Sequence, residues 1–243
     1  MSPLPAEQPG QQVKLPHDFD HKHSDVTGGW LRAATFGAMD GLVSNTALIA
    51  GVAAANTEAV LISGTAGLLA GAFSMALGEY TSVTTANEHI DAEVVVERRA
   101  FDTYPAAEQA ELVGMLVGLG MSDDTAQRAA DEIHRNEDTA VNLHMTLEIG
   151  IDPREKPSPR LAAVSSFAMF ALGAVIPLIP YLLGYALLWA GLVCAGIGQL
   201  AAGALATRFT GKSTWWAGLR QLTFGAVAVA ATYHLGGLIH HFL

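Results

Sequence analysis

The chain has 243 residues, of which 51% are hydrophobic and only 15% charged, with a mean hydropathy of +0.32. A soluble domain usually carries about 25% charged residues, so the composition points to a polytopic membrane protein with an acidic soluble part. The net charge of −10 and the single Cys194 exclude a basic nucleic-acid binder and a disulfide-stapled secreted domain.

Residues 1–29 hold Pro, Gly, Gln, Asp and His without an apolar stretch. They read as a disordered cytosolic tail and not as a cleavable signal peptide. Its His17, His21 and His23 read as tail residues. The first two spans follow at 33–55 and 59–80, making residues 30–80 a membrane unit. Asp40 is the only charge between Arg32 and Glu58, and the 20 residues Ala59 to Gly78 carry none.

Residues 81–160 change character, with 16 acidic residues against 7 basic ones. The second helix is expected to run unbroken from Ala59 to Tyr104-Pro105. That is roughly 68 Å at 1.5 Å per residue, about twice the hydrocarbon thickness, so its excess projects into the cytosol. Pro105 opens another helix closing near Gly120. Ser122 is a plausible N-cap for the next, with Asp123 and Asp124 at its positive end. A last short segment, 138–149, ends at Gly150. The expectation is a small helical, metal-binding cytosolic domain.

Residues 161–243 return to the membrane. The 47 residues between Arg160 and Arg208 carry no Asp, Glu, Lys or Arg, enough for two spans of about 20 residues each. Pro177 and Pro180 are expected to break the helix between them, giving spans at 161–181 and 184–206. A last span covers 221–241. The fold class is therefore an all-α membrane protein with five transmembrane helices and a helical insert between helices two and three. All thirteen Lys and Arg fall before Arg32 or on it, in Arg98–Arg160, or in Arg208–Arg220. Those three regions share one side of a five-span chain, which places the N-terminus in the cytosol and the C-terminus opposite.

An ionised carboxylate inside a span costs a few kcal/mol at least, so Asp40 is expected to face a cavity, a partner or an ion. Met75 and Glu79, at i and i+4, share a helix face. Calcium and magnesium prefer oxygen alone, and a thioether moves preference towards transition metals such as Fe(II). The insert adds Glu93 with Glu97, Glu108 with Glu111, and His144 with Glu148, each on one helix face, and Met145 beside them. Any one pair reads as a solvated helix face; three pairs on three helices of one small domain read as ligands.

At these residues a family resemblance is plain. Asp40-Gly41-Leu42-Val43-Ser44-Asn45 resembles the Asp-Gly signature of the vacuolar iron transporter family, and Ser74-Met75-Ala76-Leu77-Gly78-Glu79-Tyr80-Thr81-Ser82 resembles its Ser-Met-Ala-x-Gly-Glu-Tyr motif. The resemblance runs from about Gly29 to the C-terminus. It implies five spans, a homodimer with a path lined by the first helices, and export of cytosolic Fe(II), often also Mn(II), in exchange for protons. It also implies a cytosolic helical domain that collects metal through Glu and Met. Asp40 and Met75 match the family's membrane ligands, Glu79 its motif carboxylate, and Glu97, Glu108, Glu111 and Glu148 its cytosolic ligands. The chain departs at Ala100, where the family has a second Glu, and at His144-Met145, where it tends to paired Met.

The reading is a proton-coupled divalent metal exporter and not an enzyme, with Fe(II) or Mn(II) as cargo and no prosthetic group. Its partners are the lipid membrane (plasma or vacuolar), protons, metal ions and a second copy, and no nucleic acid. The alternatives are a manganese transporter of the same architecture and a non-transporting membrane protein with an acidic partner-binding domain. A ferritin-like oxidase would need paired Glu-x-x-His motifs, and only Asp131-x-x-His134 comes near.

Overall fold

The structure, a computed structural model, describes residues 29–210 and 213–242. The expected tail with His17, His21 and His23 lies outside the described residues, apart from Gly29. The described residues form α1 (Trp30–Ala55), α2 (Val60–Thr103), α3 (Pro105–Gly118), α4 (Asp123–Ile133), α5 (Glu137–His144), α6 (Pro159–Val175), α7 (Ile179–Leu182), α8 (Leu188–Thr210) and α9 (Thr214–Phe242). A π turn, Met145–Ile149, continues α5, and 3-10 turns at Thr57–Ala59 and Ile176–Leu178 lead into α2 and α7. No strand occurs among the described residues.

Five stretches are long and apolar enough to cross a membrane: Trp30–Ala55, Thr57–Thr103, Pro159–Leu182, Leu188–Thr207 and Thr214–Ile239. The protein is an all-α membrane protein. Its side-chain distribution agrees. Ile62, Phe73 and Leu77 on α2, Leu172 on α6, Ile197 on α8 and Val227 on α9 are exposed, while small residues fill the helix contacts. That inverts the soluble pattern and suits helices whose surroundings are lipid.

One expectation holds and two details are corrected. Pro177 and Pro180 do interrupt the α-helix of the third span: α6 ends at Val175, a 3-10 turn covers Ile176–Leu178 and α7 begins at Ile179. Each falls in the first turn of a new helical segment, where the missing N–H has no intrahelical acceptor to lose. The chain continues helically to Leu182 and turns at Gly184, whose φ is +87°. Helix α9 starts at Thr214 and not near 221, because an exposed Arg220 marks a polar position without breaking a helix. Ser122 does stand at the N-cap of α4, but its Oγ donates to the Thr125 hydroxyl at 2.9 Å and caps no backbone N–H.

Helix α1 packs on each of α2, α6, α8 and α9, so the helix bearing Asp40 is the centre of the bundle. Its closest neighbour is α6. A Cβ on Gly41 would meet the carbonyl oxygen of Phe170, and one on Gly173 would meet that of Ala38. Backbones in such contact leave no room for any side chain.

Beyond the bundle, α2 extends as a single helix whose 44 residues span roughly 66 Å. Helices α3 and α5 pack against its far end and α4 packs on both of them, with Leu112, Leu116, Ala126 and Ala130 as the core between α3 and α4. Tyr104 and Pro105 end α2 and open α3, Asn136 caps α5 through Thr139 N–H, and Ser158 caps α6 through Leu161 N–H.

Candidate metal centres

Two separate clusters gather the residues singled out in the sequence. The first is a cleft of about 280 Å³ between α1, α2 and α6, lined by Asp40, Ser44, Asn45, Ser74, Met75 and Phe170. Gly67 and Gly71 lie on its α2 wall. Asp40 and Met75, 35 positions apart in sequence, thus face one space. Ser44 Oγ donates to the Asp40 backbone carbonyl at 2.6 Å, which leaves the Asp40 carboxylate without a protein hydrogen bond among the described residues. The cleft offers one carboxylate, one thioether and neutral oxygens, the mixed hard and soft set that suits a divalent transition ion.

Glu79 does not line that cleft. It lies one turn beyond Met75, where Arg32 Nη2 donates to its Oε1 at 3.1 Å. Glu79 is nearly buried and Arg32 mostly exposed. The pair joins the first turn of α1 to α2 at one end of the cleft.

The second cluster lies in the insert. His144 Nδ1 stands 3.2 Å from Glu97 Oε1 and 3.6 Å from Glu108 Oε2, and these three ligand atoms fall within 4.8 Å of one another. Each comes from a different helix. Glu97 is on the extension of α2, Glu108 in the first turn of α3, and His144 at the last residue of α5. His144 is fully buried, and Glu97 and Glu108 nearly so. No hydrogen bond satisfies Glu97 Oε1 or either ring nitrogen of His144. Orphaned buried polar atoms are uncommon in folded proteins; here they converge from three helices.

Electrostatics follow from this crowding. Burial, then the charges of Glu108, Glu148 and Glu111, push the Glu97 carboxyl up to about 7. Burial, then Glu111 and Glu148, raise Glu108. Burial, then His134, push His144 down to about 4. Near pH 7 the site therefore holds a neutral imidazole, ready to ligate, and a Glu97 carboxyl only partly ionised, which a divalent ion would drive to its charged form. Glu111 and Glu148 are exposed but close enough to act on both buried carboxyls. Met145, next to His144, is buried at the start of the π turn. That turn carries Glu148 and ends at Gly150, φ +78°; π turns recur at functional sites.

Three residues outside the expected ligand set bear on these centres. Arg32 pairs with Glu79. Asn45 puts a buried, unsatisfied Oδ1 beside the membrane cleft. His134 stacks on Phe101, with ring centres 5.2 Å apart, and its ring centre lies 5.6 Å from that of His144. Nothing in local spacing signals these contacts, since each joins residues on different elements.

The VIT family matches residues 31–237 of the chain. A vacuolar iron transporter of Acanthamoeba castellanii is 34% identical over 227 residues, covering 90% of this chain and 82% of that protein. A vacuolar iron transporter of Centaurea cyanus is 30% identical over 232 residues, with 92% and 94% covered. Vacuolar iron transporter 1 of Arabidopsis thaliana is 29% identical over 243 residues, with 96% and 95% covered.

Proposed function

The chain belongs to the VIT family, and from that premise we propose that it moves a divalent transition metal ion, Fe(II) foremost, out of the cytosol in exchange for protons. The observation that carries this reading is the meeting of Asp40 and Met75 in one cleft between α1, α2 and α6. A charged side chain inside a span is expensive unless it serves an ion, a proton or a partner. The names of the similar proteins support iron as cargo. Mn(II) is the alternative cargo, because the ligand types suit both ions.

In this mechanism the insert faces the cytosol, as the distribution of Lys and Arg suggests. Glu97, Glu108 and His144 take the ion first, with Glu111 and Glu148 adding negative potential at the entrance and Met145 in reserve beside them. The ion passes Glu79 and reaches Asp40 and Met75. A proton arriving from the far side neutralises Asp40. A neutral carboxylic acid is a poor ligand, so the ion is released, and proton and metal exclude each other at the same oxygen. Two copies associate through α1. Its Phe36, Ser44 and Leu48 are exposed next to the cleft, and a second α1 there would close the path. No prosthetic group and no catalytic step are required.

The test is flux into proteoliposomes bearing a proton gradient, with internal Fe(II) and internal pH read together, for wild type and Asp40→Ala. Metal entry with proton exit, both lost in the variant, is the expected result. Wild type silent for Fe(II) and for Mn(II) would return the chain to the partner-binding alternative.

A further inference from the structure

Asn45 lies within α1 and is only 2% exposed, yet it borders the cleft shared by Asp40 and Met75. Chemistry fixes which way its amide points. Nδ2 donates to the carbonyl oxygen of Ala174 on α6 at 2.6 Å. The flipped amide would set two acceptor oxygens against each other. Oδ1 is therefore turned towards α2, where it would stand 3.3 Å from a Cβ placed on Gly67.

That oxygen is buried, and among the described residues no group donates to it. The hydroxyls beside it in sequence are committed to backbone carbonyls, Ser44 to Asp40 and Thr46 to Leu42. Gly67 and Gly71 present no side chain to that side of the cleft. Nearly every buried polar oxygen in a folded protein has a partner, and here the remaining place for one is the cleft itself.

We infer that Asn45 Oδ1 is a ligand for the divalent ion held by Asp40 and Met75. This rests on the transport reading and specifies the ion's surroundings. The amide oxygen adds a hard donor without adding charge. One carboxylate against a divalent ion leaves a net positive site, so protonation of Asp40 alone suffices for release.

The experiment measures uptake of Mn(II) and Zn(II) by proteoliposomes containing wild type, Asn45→Ala or Asn45→Cys. Both variants lose the bond to Ala174, so a difference between them reports the atom that faces the cleft. Asn45→Ala should raise the half-saturating Mn(II) concentration roughly ten-fold. Asn45→Cys should favour Zn(II) over Mn(II) by roughly ten-fold relative to Asn45→Ala, because thiolate is the softer ligand. An unchanged half-saturation in Asn45→Ala, or the same metal preference in Ala and Cys, overturns the assignment. Should either fail to fold, Gly67→Ala carries the test. It leaves the Ala174 bond intact, crowds Oδ1, and should likewise raise the Mn(II) half-saturation; no change there overturns the assignment too. A wild type that moves neither ion overturns the transport reading and this ligand with it, whereas active wild type and wild-type-like variants sink the ligand alone.

Discussion

His144 Nδ1 and Glu97 Oε1 stand 3.2 Å apart, buried, with no hydrogen bond satisfying either atom. Glu97 is raised to about 7 and His144 lowered to about 4, and for stability these act in opposite directions. Folded Glu97 holds its proton more tightly than unfolded Glu97, so its contribution falls as pH rises from 4.5 to about 7. Folded His144 holds its proton less tightly, so its contribution rises between about 4 and 6.5. The two oppose each other, and Glu108, also raised, acts in the same direction as Glu97, so the ion-free protein should lose stability only gently as pH rises from about 5 to 6.5, read as melting temperature against pH. Metal binding has no such opposition, because His144 is already neutral and only Glu97 must give up a proton. Apparent Mn(II) affinity of the insert should rise roughly ten-fold per pH unit up to about pH 7 and then level off. Calorimetric titration of the full chain in detergent, in two buffers of different ionisation enthalpy, counts the released proton. An affinity that does not change with pH below neutrality would remove Glu97 from the site.

Asp40→Asn tests the membrane centre at constant shape. Among the described residues the carboxylate has no hydrogen bond to lose, and Ser44 is bound to the backbone carbonyl of residue 40, which the substitution leaves in place. Folding should therefore be preserved and metal-driven proton exit abolished. Size-exclusion and thermal melting check the first, and the flux assay the second. Near-normal transport would detach Asp40 from the ion path.

How much of this was legible beforehand depends on which contact each residue makes. Asp40 and Gly41 illustrate the divide. The polar half of that motif could be read as a site because charge inside a span has few innocent explanations. Gly41 turns instead to α6, where the Phe170 carbonyl leaves no space for a Cβ, and no periodicity in α1 announces which helix will press there. The spans and the long α2 followed from charge-free stretches and the absence of breakers. The prolines at 177 and 180 likewise marked where α6 gives way to a 3-10 turn and α7. In the insert, i and i+4 spacing found pairs of carboxylates, but the converging set takes one residue from each of three helices. Glu97 thus meets His144 and Glu108 and not Glu93. Asn45, Arg32 and His134 act across elements, and single-element patterns do not reach them.

Gly173→Ala should be costly for its size. Its Cβ would meet the Ala38 carbonyl and come within 3.0 Å of the Leu42 backbone nitrogen. Backbone cannot swing away as a side-chain tip does, so α1 and α6 must separate. Overpacking of this kind costs about 1–3 kcal/mol. Because the displaced segment of α1 includes Asp40, flux should fall alongside stability. A melting temperature equal to wild type would mean that the helices cross less closely than described.

Arg32→Gln separates a structural ion pair from a functional one. Arg32 is 70% exposed at its side chain while Glu79 is 11% exposed. Pairs with an exposed partner contribute about 0–1 kcal/mol, so the variant should melt close to wild type. Transport should respond differently if Glu79 handles the ion on its way to Met75. Arg32 is a tethered cation on that carboxylate, and an arriving divalent ion must displace it. Without Arg32 the half-saturating concentration of Mn(II) should fall several-fold, an effect that high salt mimics in wild type by screening the pair. Arg32→Lys, which keeps the charge but loses the guanidinium geometry, should fall between the two. A half-saturation that is the same in all three proteins would leave Arg32–Glu79 as a brace between α1 and α2 and nothing more.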